Sequence, residues 1–215
     1  MLDYIRDNLG YGQCNKYDNY SRFQVTNQKD IDRLITLFNG NLVLNKTRAR
    51  FLHWLSFRKV EMIERKLSWQ PDNNGWLAGF IDGEGCFYCG KEKFGVSGHL
   101  LAPEIRFLLD QKGEREILLL VQSFLQGGTV RRRQERENMW RYSCTSRCSQ
   151  KRLGDYLAKY PLVTPKREAA ALFFTLRRLI DNKKKRLELS SAAYWVDRLG
   201  GWGGKAGAHP DELST

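Results

Sequence analysis

Apolar positions recur along this chain with two different periods. Lys29 to Phe38 carries Ile31, Leu34, Ile35 and Phe38 at helical spacing, and Lys46 to Phe57 carries Phe51, Trp54 and Leu55 on one face, so both stretches are expected to be helices. Ser21 to Asn27 reads as a strand, and Thr129 to Arg147 reads as a hairpin with one wet face. Leu77 to Gly85 reads as an apolar helix that ends in two acids and a glycine, Asp82, Glu84 and Gly85. A final helix is expected from Leu187 to Leu199.

The order of these elements occurs twice. IRDNLGYG (Ile5 to Gly12) answers VQSFLQGG (Val121 to Gly128), RFQVTN answers WRYSCTS, and DRLITLFNGNLVLNKTRARFLHWL answers GDYLAKYPLVTPKREAAALFFTL, at an offset near 120 residues. Self-similarity at that spacing means two copies of one module. They are unequal, because Asn73 to Leu120 has no counterpart before Ile5. The expected organisation is an incomplete module over 1–70, a complete one over 71–186, and a C-terminal helix with a Gly-rich tail over 187–215. Pro71 to Asn74 supplies the link between the modules and the start of the next helix.

Charge changes this picture by being local. The chain has 215 residues and a formal charge of +12, from 36 Lys plus Arg against 24 Asp plus Glu. Residues 127–186 hold 17 of those bases and 5 of the acids, a net +12, so the whole excess lies there. Such a balance points to a nucleic-acid partner. The hairpin places Arg131, Arg132, Arg133, Arg136, Arg141 and Arg147 beside Trp140 and Tyr142, and these are the expected nucleic-acid contacts. The cluster from Asp181 to Arg186 reads as the solvated end of a helix. With 41% hydrophobic residues the chain can build a core, and no apolar run reaches the roughly 18 residues of a membrane span.

The five cysteines are odd in number and scattered, which argues against a disulfide framework. Cys86 and Cys89 with Cys144 and Cys148 have zinc-like spacing, but strand residues three apart point to opposite faces, so small core residues is the better reading. His53, His99 and His209 form no local cluster.

The chemistry concentrates in LAGFIDGEG, Leu77 to Gly85. Gly75, Gly79 and Gly83, four apart, would let a second helix approach with backbones nearly touching. Asp82 and Glu84 stand where the helix dipole is already negative, a place that favours a bound cation such as Mg²⁺.

This nonapeptide resembles the signature of the LAGLIDADG homing endonucleases. CFYCG after it, IRFLLDQKGEREILLLVQSFLQGGTV and YPLVTPKREAAALFF resemble that family's later strands, helix, turn and basic loop. The resemblance implies an α+β fold of αββαββα units with saddle-shaped antiparallel sheets lying in the DNA major groove. It implies a site-specific DNA endonuclease, or half of a split one, using Mg²⁺, with Glu84 as metal ligand and Asp82 as a structural acid. Gln111 falls where the family often has a polar residue near the attacking water. Pro165 takes the usual Lys position, and Lys166 follows one residue later. Strands Cys86 to Lys91 and Pro103 to Leu109 would add groove contacts. The alternative is an inactive descendant that binds structured RNA, as an intron maturase or a component of an organellar ribosome. Since only one LAGLIDADG motif is present, a partner chain supplying the missing half-repeat, or a large ribonucleoprotein, is expected. The resemblance also implies an organellar address, mitochondrial before chloroplast.

Overall fold

The computed structural model describes residues 1–64, 73–90, 105–134 and 136–182. The expected helix Leu187–Leu199 and the lysines of the 181–186 cluster lie outside them. The chain divides into two compact units, Met1–Trp69 and Gln70–Thr215.

In the first unit, α1 (Leu2–Leu9) leads into strands β1 (Gln13–Lys16) and β2 (Ser21–Gln24), then α2 (Gln28–Phe38) and α3 (Asn45–Arg58). The strands pair antiparallel, Gln13 opposite Gln24 and Lys16 opposite Ser21. Asn27 starts α2 by accepting a hydrogen bond from the Lys29 amide at 2.9 Å. The small core is Ile35, Phe51 and Leu55, with Ile31, Leu42 and Met62 packed against it. Trp54, expected on the buried face of α3, is 37% exposed.

The second unit runs α4 (Trp76–Glu84), β3 (Gly85–Cys89), β4 (Ile105–Lys112), α5 (Arg115–Leu125), β5 (Thr129–Arg132), β6 (Met139–Cys144), α6 (Arg147–Lys159) and α7 (Lys166–Asp181). Its four strands form one antiparallel sheet in the order β3-β4-β6-β5. Ile105, Phe107 and Leu109 of β4 are buried while Arg106, Leu108 and Asp110 are only partly so, the period of two that covers one face and leaves the other wet. On the covered face the Phe87 ring lies 5.4 Å from Phe107 and 5.3 Å from Phe173 of α7. Helix α5 adds Ile117, Leu118, Val121 and Leu125 as a helical stripe. Each such large apolar side chain contributes roughly 1.5–3 kcal/mol on full burial.

Two buried polar side chains lock this arrangement. Gln150 of α6 donates to the carbonyls of Ile105 and Cys144 and accepts from Arg177 of α7, which joins two strands to two helices. The Tyr156 hydroxyl accepts from the Ala78 amide and donates to the Asn74 carbonyl, holding the first turn of α4. Burial pushes that phenol up to about 12.

The first unit therefore has the element order of the last five elements of the second, α-β-β-α-α. Offsets between matching starts are 113 (2 to 115), 116 (13 to 129), 118 (21 to 139), 119 (28 to 147) and 121 (45 to 166).

Candidate nucleic-acid interface and metal-holding acid

Helix α4 is short and buried on one side through Leu77, Ala78, Phe80, Ile81 and Asp82, while Gly79, Gly83 and Glu84 are exposed. At Gly85 the chain turns from helix to strand so tightly that an added Cβ would stand 2.6 Å from Ile81 Cγ2 and 2.7 Å from the Ile81 carbonyl oxygen. Only glycine fits there without a shift. The turn delivers Glu84 to the end of β3, beside the Gly85–Leu109 pair, and Gln111 lies two residues further along β4.

The two acids of the motif do different work. Asp82 accepts from the amides of Val163 (2.9 Å) and Thr164 (3.2 Å) and from the Thr164 hydroxyl, so it pins the loop between α6 and α7. That loop carries Lys166, the first residue of α7, whose Nζ donates to the carbonyls of Gly83 (3.1 Å) and Ile81 (3.3 Å). Lys166, one residue after Pro165, thus reaches back to the C-terminal end of α4. An ammonium capping the last carbonyls of α4 offsets the negative end of its dipole. Burial pushes Lys166 below its ordinary value, against the opposing pull of Cys86, Glu84 and Asp82. Glu84 itself stays exposed, next to this cation.

An added Cβ at Gly79 or Gly83 would meet nothing within 4 Å, and one at Gly75 would meet the Tyr160 ring at 3.5 Å. The Gly79–Gly83 stripe is open.

On the wet face of the sheet, Asp110 (β4), Arg141 (β6) and Arg131 (β5) stand in one row across three strands. Arg141 grips Asp110 with two bonds, Nε to Oδ1 at 2.7 Å and Nη2 to Oδ2 at 2.8 Å, and Arg133 adds a third at 3.1 Å. Burial alone would raise the Asp110 carboxyl, but the hydrogen bonds and charges of Arg141 and Arg133 outweigh it and hold the group below its usual range. Asp110 was not singled out by sequence: its partners are 23 and 31 residues away, and only the β4–β6 and β5–β6 pairings bring them together.

Several expected contacts are corrected by this register. Tyr142 is fully buried; its hydroxyl donates to the Gly127 carbonyl at 2.9 Å and its ring packs edge-on to Phe107. It belongs to the core because it pairs with Val130 on the covered face. Gly128, at φ 88°, runs so close beneath it that a Cβ would lie 2.6 Å from the ring. Trp140 and Arg132 pair with each other on the same parity as Tyr142, away from Arg131 and Arg141, and the guanidinium of Arg115 lies 5.3 Å over the Trp140 ring. Arg147 is in the first turn of α6 and pairs with Asp181 of α7 at 3.0 Å, so it is not a hairpin residue. Arg136 is exposed in the turn between β5 and β6. Cys86 is half-buried and Cys89 buried, and among the described residues no group of three or more His, Cys, Asp or Glu gathers to hold a metal. Among them too, no helix is long and apolar enough to cross a membrane.

Comparison with known proteins places this geometry. The profile of the LAGLIDADG endonuclease family matches residues 77–175, from the first turn of α4 into α7. The probable intron-encoded endonuclease 4 of Neurospora crassa is 30% identical over 135 residues, 59% of this chain and 25% of that protein. An uncharacterized cox1 intron-2 37.2 kDa protein of Schizosaccharomyces pombe is 29% identical over 173 residues, 76% of this chain and 51% of that one. The chain spans a quarter of the first relative and about half of the second. Among solved structures, the LAGLIDADG meganuclease I-AabMI, crystallised bound to uncleaved DNA, has a TM-score of 0.69 at 19% identity, covering 92% of this chain and 83% of its own. That likeness establishes the fold, and the profile match falls on the unit that carries Glu84, Lys166 and the arginine row. The αββαββα unit, over residues 77–175, matches the LAGLIDADG endonuclease family.

Proposed function

We propose that the chain is the DNA-binding and cutting part of a site-specific double-stranded DNA endonuclease that uses Mg²⁺. One observation carries this reading: an exposed carboxylate, Glu84, ends α4 beside the Lys166 ammonium, at the margin of a sheet whose wet face is lined with arginine. The Neurospora relative is described as an endonuclease and I-AabMI was crystallised on DNA, which supports DNA as the substrate. The intron-encoded relatives likewise support an organellar, mitochondrial address.

The donor set fits Mg²⁺ as a shared ion. Asp82 is engaged with the loop, so Glu84 is the carboxylate this chain offers. Mg²⁺ characteristically takes one or two carboxylates and fills its remaining positions with water and substrate phosphate. When bound, it would lower the pKa of an attacking water and stabilise the leaving oxygen. The protein's own contribution is positional. Asp82 fixes the loop, the loop fixes Lys166, and Lys166 sets a positive charge where a phosphate would accumulate negative charge. Gln111 orients water at the same end of the sheet. The open Gly79–Gly83 stripe receives the corresponding helix of a second module, carried by a partner chain or by another part of a longer protein. That module brings the second carboxylate and the second cut.

The test is a duplex selected by binding from a randomised library, then assayed for nicking in Mg²⁺ with the full chain and, where needed, a second LAGLIDADG module. Glu84→Gln should abolish nicking and leave duplex affinity unchanged. Loss of binding in that variant removes the metal-holding role. A wild-type chain that holds structured RNA and ignores duplex DNA refutes the DNA reading.

A further inference from the structure

The wet face of the sheet contains an arrangement that phosphate attraction does not require. Arg131 and Arg141 stand directly opposite each other on β5 and β6, and like charges in that position destabilise a strand pair. Asp110 completes the row on β4 and binds Arg141 through both carboxylate oxygens. The same carboxylate reaches Arg133, the residue just past β5. A carboxylate on a DNA-facing surface opposes the phosphate backbone, so for affinity alone it would be unfavourable. Its geometric effect is different. A bidentate grip on the Nε–Nη2 edge fixes the plane of a guanidinium, and a fixed guanidinium is what selective recognition of a base edge in the major groove demands.

We propose that Asp110 is a specificity-determining positioning residue: it orients Arg141 and Arg133 toward particular base pairs, and it acts through these arginines without taking part in cleavage. The proposal rests on the DNA-binding reading above. Asp110 exchanges non-specific attraction for selectivity. The charge of the face is lower by one with Asp110 present, and two of its cations are held in set directions.

Asp110→Asn and Arg141→Lys separate this from a merely structural role. In the full chain, binding is measured at fixed salt to the selected duplex, to its single-base-pair substitutions, and to random-sequence duplex. Asp110→Asn should lose about tenfold or more discrimination at one to three adjacent base pairs, while affinity for random duplex stays the same or rises. Arg141→Lys keeps the charge and loses the bidentate fork, so it should lose the same discrimination with random-duplex affinity unchanged. Asp110→Glu should recover part of it. A fall in selected and random binding together, with a lower melting temperature, would show that Asp110 only holds the sheet and would overturn the proposal. Discrimination equal to wild type in Asp110→Asn also overturns it. A wild-type chain that binds duplex DNA without preference sinks the proposal but leaves DNA binding standing, whereas one that binds no duplex sinks both.

Discussion

The two units share an order of elements and differ in how far that order closes a core. In the second, β6 lies between β5 and β4, and α4 and β3 complete the packing; Phe107, Leu118, Tyr142 and Phe173 are fully buried. In the first, β2 pairs with β1 and the helices behind it leave Leu37, Phe38, Leu52, Trp54 and Phe57 exposed. Among the described residues, 4 buried hydrophobics (Ile35, Val43, Phe51 and Leu55) belong to the first unit and the other 23 to the second. A hairpin with two helices therefore makes an apolar surface, and the α-β-β piece that precedes it in the second unit turns that surface into an interior. The same piece carries LAGFIDGEG, so in this fold the element that completes the core also delivers the exposed carboxylate of Glu84.

Core truncations should divide the units most sharply. Phe107→Ala removes a ring packed between Phe87 and Tyr142 on the covered face of the sheet and should cost about 3–5 kcal/mol. Phe51→Ala removes a ring whose neighbours Phe38 and Trp54 are themselves exposed, so the cavity can collapse and the loss should be clearly smaller. Denaturant unfolding of the full chain, with hydrogen exchange assigning the change to a unit, reads both. Equal losses would mean that the first unit is as well closed as the second.

Next in size are a glycine within α4 and the one that ends it, in the helix for which the first unit has no counterpart. Gly85→Ala forces a Cβ against Ile81 and should destabilise by about 1–3 kcal/mol. Gly79→Ala adds its methyl group to open space within a helix and should stabilise the isolated chain by roughly 0.5–1 kcal/mol. If the stripe receives a second helix, that same variant should weaken association with the second module. Opposite signs in thermal melts, with the loss at Gly79 seen only in association, are the expected pattern. A Gly79→Ala variant that associates as well as wild type would remove the stripe from the interface.

How much of this was legible beforehand follows from distance along the chain. The helices Gln28–Phe38 and Asn45–Arg58 were readable because their apolar spacing is local, with ends within a residue of those expected. The position of Glu84 at the end of a helix was readable because the motif is contiguous. The faces of the hairpin were not. Arg131 and Arg132 are adjacent and both exposed, but they cannot share a face, and only the register with Arg141 and Trp140 says which of them stands in the row with Asp110. Tyr142 looked like a stacking platform beside arginines and is instead a core ring, because β6 alternates and Tyr142 follows Arg141. That Lys166, one residue after Pro165, reaches the Ile81 and Gly83 carbonyls was not legible, because those partners are 85 and 83 residues away. Asp110 is the extreme case, since nothing near it in sequence hints at Arg133 and Arg141.

The finest comparison is between two equivalent helix starts. Asn27 precedes α2 and Ser146 precedes α6, and both residues have extended backbone with ψ near 130°. Asn27 satisfies the Lys29 amide through its side chain, whereas the Ser146 side chain makes no capping bond. The entry to α6 is held instead by its neighbours, through the Gln150 side chain bonded to the carbonyls of Ile105 and Cys144. A helix docked on a closed core can forgo its cap, but one on an incomplete core depends on local bonds. Asn27→Ala should therefore cost about 1 kcal/mol, and Ser146→Ala no more than a few tenths. Matched chemical denaturation, with amide exchange in α2 and α6 as the local readout, compares them. If Ser146→Ala proves the costlier change, the cap, and with it the claim that the first unit relies on local interactions where the second relies on packing, is wrong.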